Sequence, residues 1–148
     1  MTDDELGRLE DELAIRNLVA RLAHLADAGD LEADYLPLFT EDAEWCFPGS
    51  ADAEAEPATV RGLEAIRADR VARRASGFQG PGSHTRHVNT TLAVRVDGSD
   101  RAEAESYWMF VGDTRSPAPQ LRGIGHYSDE FRRTSDGWKL ARRTITPG

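Results

Sequence analysis

The sequence predicts an α+β domain: three helices in its first half, then an antiparallel sheet in its second. Two observations carry this. Apolar residues at helical spacing, with cap signals, dominate residues 4–28 and return in 63–76. From residue 84 onward, β-branched and aromatic residues alternate between short turn signals. Helices followed by consecutive hairpins pack on one face of a curved sheet. At 148 residues, 39% hydrophobic and 30% charged, the chain (1–148) is a single domain large enough to bury a core.

The elements follow in order. Leu6, Leu9, Leu13, Leu18, Val19, Leu22 and Leu25 make residues 4–28 a long amphipathic helix, with Asp3 and Asp4 as N-caps and Gly29 as its stop. A shorter helix follows in "DLEADYLPLF", capped by Asp30 and limited by Pro37. "AEWCFPG" is a short strand, and the polar "SADAEAEPATVRG" a surface loop. "LEAIRADRVARRAS" supplies the third helix through Leu63, Ile66 and Val71. The Gly-rich "SGFQGPGS" is a flexible connection. Four strands then run through "HTRHVNTTLAVRV", "RAEAESYWMFVGD", "LRGIGHYSDEFRRT" and "GWKLARRTITP", separated by "DGSD", "TRSPAPQ" and "SDG".

Several function classes drop out on composition. A net charge of −8 argues against nucleic acid, which needs a basic face. No run of about 18 apolar residues exists to span a membrane. The acidic "MTDDELGRLEDE" lacks the basic and apolar regions of a signal peptide, so the expected location is cytoplasmic. Cys46 is the only cysteine, which excludes an internal disulfide and a cysteine zinc site; between aromatics it reads as a small buried hydrophobe.

Chemistry requires titratable groups that converge from different elements. Asp27 ends the long helix, with Ala20, Ala23 and His24 as face neighbours that leave room beside it. Its carboxylate meets the unfavourable end of the helix dipole, and a solvated acid is the alternative. His87 opens a strand and shares a face with Asn89 and Thr91, while Val88, Leu92 and Val94 face the other way. It reaches a cavity under the sheet only if a bulge near Asn89 or Thr90 shifts the parity, or if both faces are covered. His84 and His87 point to opposite sides of an extended segment, so no metal is expected there. His126 lines a cavity or is exposed. Trp45, Phe47, Tyr107, Trp108 and Phe110 are sheet aromatics that serve the core, a ligand surface or both.

The helix ending "ADAGD", then "LFTEDAEW", "TRHVNT" and the closing "YSDEFRRTSDGWKLARR", together resemble the SnoaL-like branch of the nuclear transport factor 2-like superfamily, over about residues 8–145. The resemblance implies a cone: a bent antiparallel sheet wrapped around the first helix, with a deep apolar pocket inside. Within the superfamily the pattern is similar to the scytalone dehydratase, bile-acid dehydratase and hexachlorocyclohexane dehydrochlorinase families. In those an Asp near the end of the first helix hydrogen-bonds a His at the start of a central strand, and Asp27 and His87 fall on these positions. Departures are Trp108 where a second His stands, Ala26 for a tyrosine before the Asp, and Trp45 for a pocket tyrosine. Arg132 or Arg133 matches the dehydrochlorinase arginine. Arg21 or His24 is only a loose substitute for its first-helix lysine. The superfamily also implies a homodimer or homotrimer formed through the outer sheet face.

The resemblance therefore implies a cofactor-independent lyase, isomerase or cyclase with no metal. Its expected substrate is a small apolar molecule of the polyketide or steroid type. His87 abstracts a proton, Asp27 orients it, and Asn89, His126, Trp108 or Arg132 polarises the oxygen or leaving group; Trp45 and Phe47 line the pocket. Two alternatives stand beside it. One is a non-catalytic module that binds a small hydrophobic ligand or dimerises. The other is an epoxide hydrolase, which needs a second pocket acid such as Asp129 or Glu105.

Overall fold

Thr2, rather than Asp3 or Asp4, caps helix α1 (Asp3–Ala28): its hydroxyl accepts from the Glu5 main chain while Glu5 reaches back, a reciprocal capping box. Ile15, Leu18, Val19, Leu22 and Ala26 form the buried stripe of α1. Leu6, Leu9 and Leu13 are exposed. At about 100° per residue they project from the opposite side of the helix, so the apolar spacing in α1 is two stripes and not one. The computed structural model describes residues 1–49 and 56–148. The first part of the expected loop "SADAEAEPATVRG" lies outside the described residues.

After α1, Asp30 caps a π-helical turn over Leu31–Tyr35 by accepting from the Ala33 main chain. A 3₁₀ turn over Leu36–Leu38 follows, with Pro37 in its first turn. Strand β1 (Phe39–Phe47) then begins earlier than "AEWCFPG" suggests. Ala58–Arg61, expected in a loop, forms strand β2, because Thr59 and Val60 pair with Cys46 and Trp45 as the outer arm of a hairpin. Helix α2 (Leu63–Ala75) and strands β3 (Arg86–Asp97), β4 (Arg101–Gly112), β5 (Gln120–Thr134) and β6 (Gly137–Pro147) follow.

The six strands form one curved, unclosed sheet in the order β2-β1-β6-β5-β4-β3. Every pairing is antiparallel except β1 with β6, which is parallel and makes the sheet mixed. Helix α1 lies against the inner face, chiefly on β3. Ile15, Val19 and Leu22 meet Tyr35, Phe131 and Leu140 there in the core. Among the described residues, no helix is long and apolar enough to cross a membrane. Cys46 is buried, as its aromatic neighbours imply.

The parity of β3 changes within the strand. Asn89 pairs with Trp108 and Thr90 with Tyr107, but Ala93 pairs with Glu105, so β3 carries one residue more than β4 across this step. Thr91 takes up the difference with φ of 56°. Before the bulge, His87 and Asn89 face inward; after it, Leu92, Val94 and Val96 face inward and pack on the core. One bulge thus lets a polar pair and an apolar triplet share the same side of one strand.

Candidate active site

The inner face, α1 and α2 border a half-open cavity of about 340 Å³. Its walls are mainly apolar: Leu22, Ala23 and Ala26 from α1, with Trp45, Phe47, Phe78, Trp108 and Phe110. Ala23 and Ala26 leave the helix surface low, and the space lies over them. Ala20 and His24 are exposed instead. Of the sheet aromatics, Trp45, Phe47, Trp108 and Phe110 line it, whereas Tyr107 is exposed and does not.

Asp27 and His87 meet at the cavity edge. Asp27 is buried, at 5% exposure, and accepts twice from one residue. The His87 main-chain N–H donates to Oδ2 at 3.0 Å, and Nδ1 lies 2.7 Å from Oδ1. A carboxylate only accepts, so Nδ1 carries the ring proton and Nε2 is left as the basic nitrogen. The ring packs against Phe110 with centroids 4.8 Å apart and lines the cavity, whereas Asp27 stands behind it. The helix end and the strand start are therefore joined by one carboxylate that fixes both the backbone and the imidazole.

Two residues from His87 on the same face, Asn89 lines the cavity with both amide atoms buried and without a protein partner. Its cross-strand neighbour Trp108 has a buried indole N–H, also without a partner. Buried polar atoms are nearly always satisfied, so Asn89 and Trp108 are two adjacent exceptions on the wall beside His87. The Trp108 indole lies over Gly123 and Gly125, and a Cβ on Gly125 would come within 2.6 Å of it. It also stacks on Tyr127 at 5.9 Å. The sequence "RGIGHY" therefore provides a side-chain-free bed for a tryptophan.

His126 and Arg132, expected at the pocket, do not line it. Inward positions on β5 belong to Gly123, Gly125 and Tyr127, so His126 points outward, edge-on to Tyr107 at 6.1 Å. Arg132 is exposed and pairs with Asp42 at 2.7 Å. That contact holds the Asp42 carboxyl below its ordinary range through its hydrogen bond to Arg132. Arg133 is committed to Asp11 and to the Ser99 carbonyl.

Four arginines that the sequence reading missed line the cavity, Arg70 and Arg73 on α2, Arg122 on β5 and Arg143 on β6, and of these Arg70 and Arg143 are buried. Arg143 is 3% exposed and forks onto Asp129, 1% exposed, through two contacts of 2.7 Å. Burial works against its charge, but Asp129 outweighs it and the guanidinium is held more firmly protonated than usual. Its guanidinium carbon lies 3.9 Å over the Tyr127 ring. Burial raises the Tyr127 phenol above its ordinary range, with Arg143 pulling the other way. A signal for Arg70 did exist: it follows Leu63 and Ile66 at helical spacing, a charge placed on the buried side of α2. Arg143 carried no local signal, because its partner Asp129 meets it only through the β5–β6 pairing.

Neither acid considered for epoxide hydrolysis lines the cavity: Asp129 is engaged by Arg143, and Glu105 is exposed on the outer face. His84 is exposed and stands apart from the dyad.

No curated protein matches the chain. Solved structures do. A nuclear transport factor 2-like protein with a cystatin-like fold from Novosphingobium aromaticivorans is 31% identical, over 96% of this chain and 84% of that one, with a TM-score of 0.74. A candidate aromatic ring hydroxylase from the same organism is 30% identical, over 94% and 90%, with a TM-score of 0.68. A candidate scytalone dehydratase, also from that organism, is 19% identical over 96% and 87% with a TM-score of 0.72, a likeness of fold alone. The SnoaL-like domain family matches residues 7–144. With that match over a bent sheet, a long first helix and a half-open cavity, the chain belongs to the SnoaL-like domain family of the nuclear transport factor 2-like superfamily.

Proposed function

We propose that the chain is a cofactor-independent enzyme that removes a proton from carbon in a small, ring-bearing substrate, as a lyase, isomerase or cyclase. The observation that supports it is the 2.7 Å contact between His87 Nδ1 and Asp27 Oδ1, which leaves Nε2 as the basic nitrogen of a ring lining the cavity. His87 Nε2 accepts the proton, and Asp27 stabilises the imidazolium that forms. The carbon's electron pair moves onto an adjoining carbonyl oxygen, where the Asn89 amide N–H and the Trp108 indole N–H receive the developing charge. Loss of a leaving group, reprotonation at a second carbon or attack on an electrophile completes the three variants. The aromatic walls and the ring hydroxylase among the similar structures support a ring-bearing substrate.

The test is deuterium exchange at carbon, followed by NMR in D₂O over a panel of ring-bearing ketones and β-hydroxy ketones. Wild type is expected to exchange at least one of them, with His87→Ala and Asp27→Asn slower by about 10²- to 10⁴-fold. Rates within about threefold of wild type for both variants would remove the dyad from the chemistry.

Self-association through the outer sheet face belongs to the same proposal. Register aligns Val88, Met109 and Ile124 across three strands there, with Val88 and Ile124 exposed. Sedimentation velocity should show an oligomer that Ile124→Glu dissociates; a monomeric wild type would refute it.

A further inference from the structure

Among the described residues, the cavity is lined by four arginines and no carboxylate, in a chain whose net charge is −8. Three of the four are neutralised nearby. Arg143 holds Asp129 bidentately, Arg122 at the mouth pairs with Asp113 at 3.3 Å, and Arg73 takes Asp69 Oδ2 at 2.8 Å. Arg70 has only what is left: the same Asp69 oxygen, at 3.3 Å. One carboxylate thus serves two guanidiniums.

Arg70 is also 4% exposed, and its Nε is buried with no hydrogen-bond partner. Its charge rests on the Trp45 ring, 4.1 Å from the centroid, and Arg143 lies 5.3 Å from that same centroid. A π face offsets part of the cost of burying a cation, but accepts none of its N–H groups. A buried guanidinium that lines a cavity and whose counter-charge is shared is an incomplete ion pair.

We propose that a substrate anion completes it: the cavity takes a ring-bearing carboxylate, its two oxygens on the Arg70 fork and its ring among Trp45, Phe47, Phe78 and Phe110. A monoanion matches the single uncompensated charge of the Arg70, Arg73 and Asp69 group, and the planar fork matches a carboxylate. A cavity of about 340 Å³ is at the small end for ligand sites, suited to one or two fused rings. This deepens the reading of a carbon-acid enzyme and rests on it for the reacting end, near His87; the binding itself does not require turnover.

The test is calorimetric titration of the full chain with 2-naphthoate and with its neutral isostere 2-naphthamide. Wild type should bind naphthoate at least about tenfold tighter, and Arg70→Met should abolish the preference while leaving naphthamide within about threefold. Arg70→Lys, which keeps the charge without the fork, should retain part of the preference and covers the case in which the methionine variant misfolds. Equal affinities in wild type, no naphthoate binding at millimolar concentration, or an unchanged preference in Arg70→Met and Arg70→Lys would overturn the proposal. Inorganic phosphate competing as well as naphthoate would overturn the carboxylate assignment. A naphthoate preference lost in Arg70→Met, alongside wild-type carbon exchange in His87→Ala, would leave the anion site standing while the dyad reading fails.

Discussion

Asp27 binds His87 twice, through the main-chain N–H at 3.0 Å and through Nδ1 at 2.7 Å, and so couples the position of a strand to the tautomer of its first inward-facing imidazole. The carboxylate is consequently structural, beside the chemistry proposed for it. Asp27→Ala leaves a buried main-chain N–H without an acceptor, which costs about 1–3 kcal/mol. Asp27→Asn keeps one acceptor oxygen and is expected to lose less. Urea unfolding of the two variants should rank alanine below asparagine, while both lose catalysis alike. Equal stabilities would show that the main-chain contact contributes nothing.

Asn89 has the opposite character. Both its amide atoms are buried and unpartnered, so the empty protein carries their desolvation without return. Replacing them with hydrocarbon of similar volume should not destabilise the chain. Asn89→Leu is expected to melt at or above wild type and yet to lose about 10²-fold or more of carbon exchange. A lower melting temperature would mean that the amide has a structural partner after all.

The sequence made the architecture legible because long-range order here is written in local patterns: caps, hairpin turns and the change of period after residue 84. Asp27, His87, Asn89 and the aromatics were legible because each sits at an element end or on a readable strand face. What escaped was set by register. Alternation alone could not say that Gly123 and Gly125 turn His126 outward, because inward-facing glycines look like absent side chains. Arg143 and Asp129 are fourteen residues apart and meet only through β5–β6 pairing. Strand β2 was hidden because its pairing partner, not its own composition, makes it a strand.

Thr91 carries the cost of the parity change. A β-branched residue at φ of 56° is strained by roughly 1–3 kcal/mol, and glycine adopts this conformation freely. Thr91→Gly should therefore stabilise the chain by about 0.5–1 kcal/mol in urea unfolding, with the site intact. Deleting Thr91 should do the reverse: either His87 and Asn89 or Leu92, Val94 and Val96 must turn outward. Loss of activity or of the folded state is expected, and a deletion variant with wild-type melting and exchange would refute the role of the bulge.

The Asp129–Arg143 pair is the most deeply buried ion pair at the site. Removing one partner strands a charge, so Asp129→Asn should cost about 3–5 kcal/mol. Replacing both, Asp129→Leu with Arg143→Met, should cost less than that single change, because no unpaired charge remains. The double-mutant cycle in urea decides it: additive losses would mean that the two side chains contribute independently.

Tyr127 sets the behaviour at high pH. Burial raises its phenol, against the pull of Arg143, so the folded chain keeps this proton at pH values where the unfolded chain releases it. The unfolded phenol titrates near about 10. Below that value both states hold the proton and the contribution to stability is complete. Above it the unfolded state binds fewer protons than the folded one, so stability falls as pH rises toward the folded value. Tyr127→Phe removes this proton and should flatten the decline of unfolding free energy between about pH 9.5 and 11, each protein being referred to its own value at about pH 8. Parallel declines in the two proteins would place the alkaline sensitivity on another group.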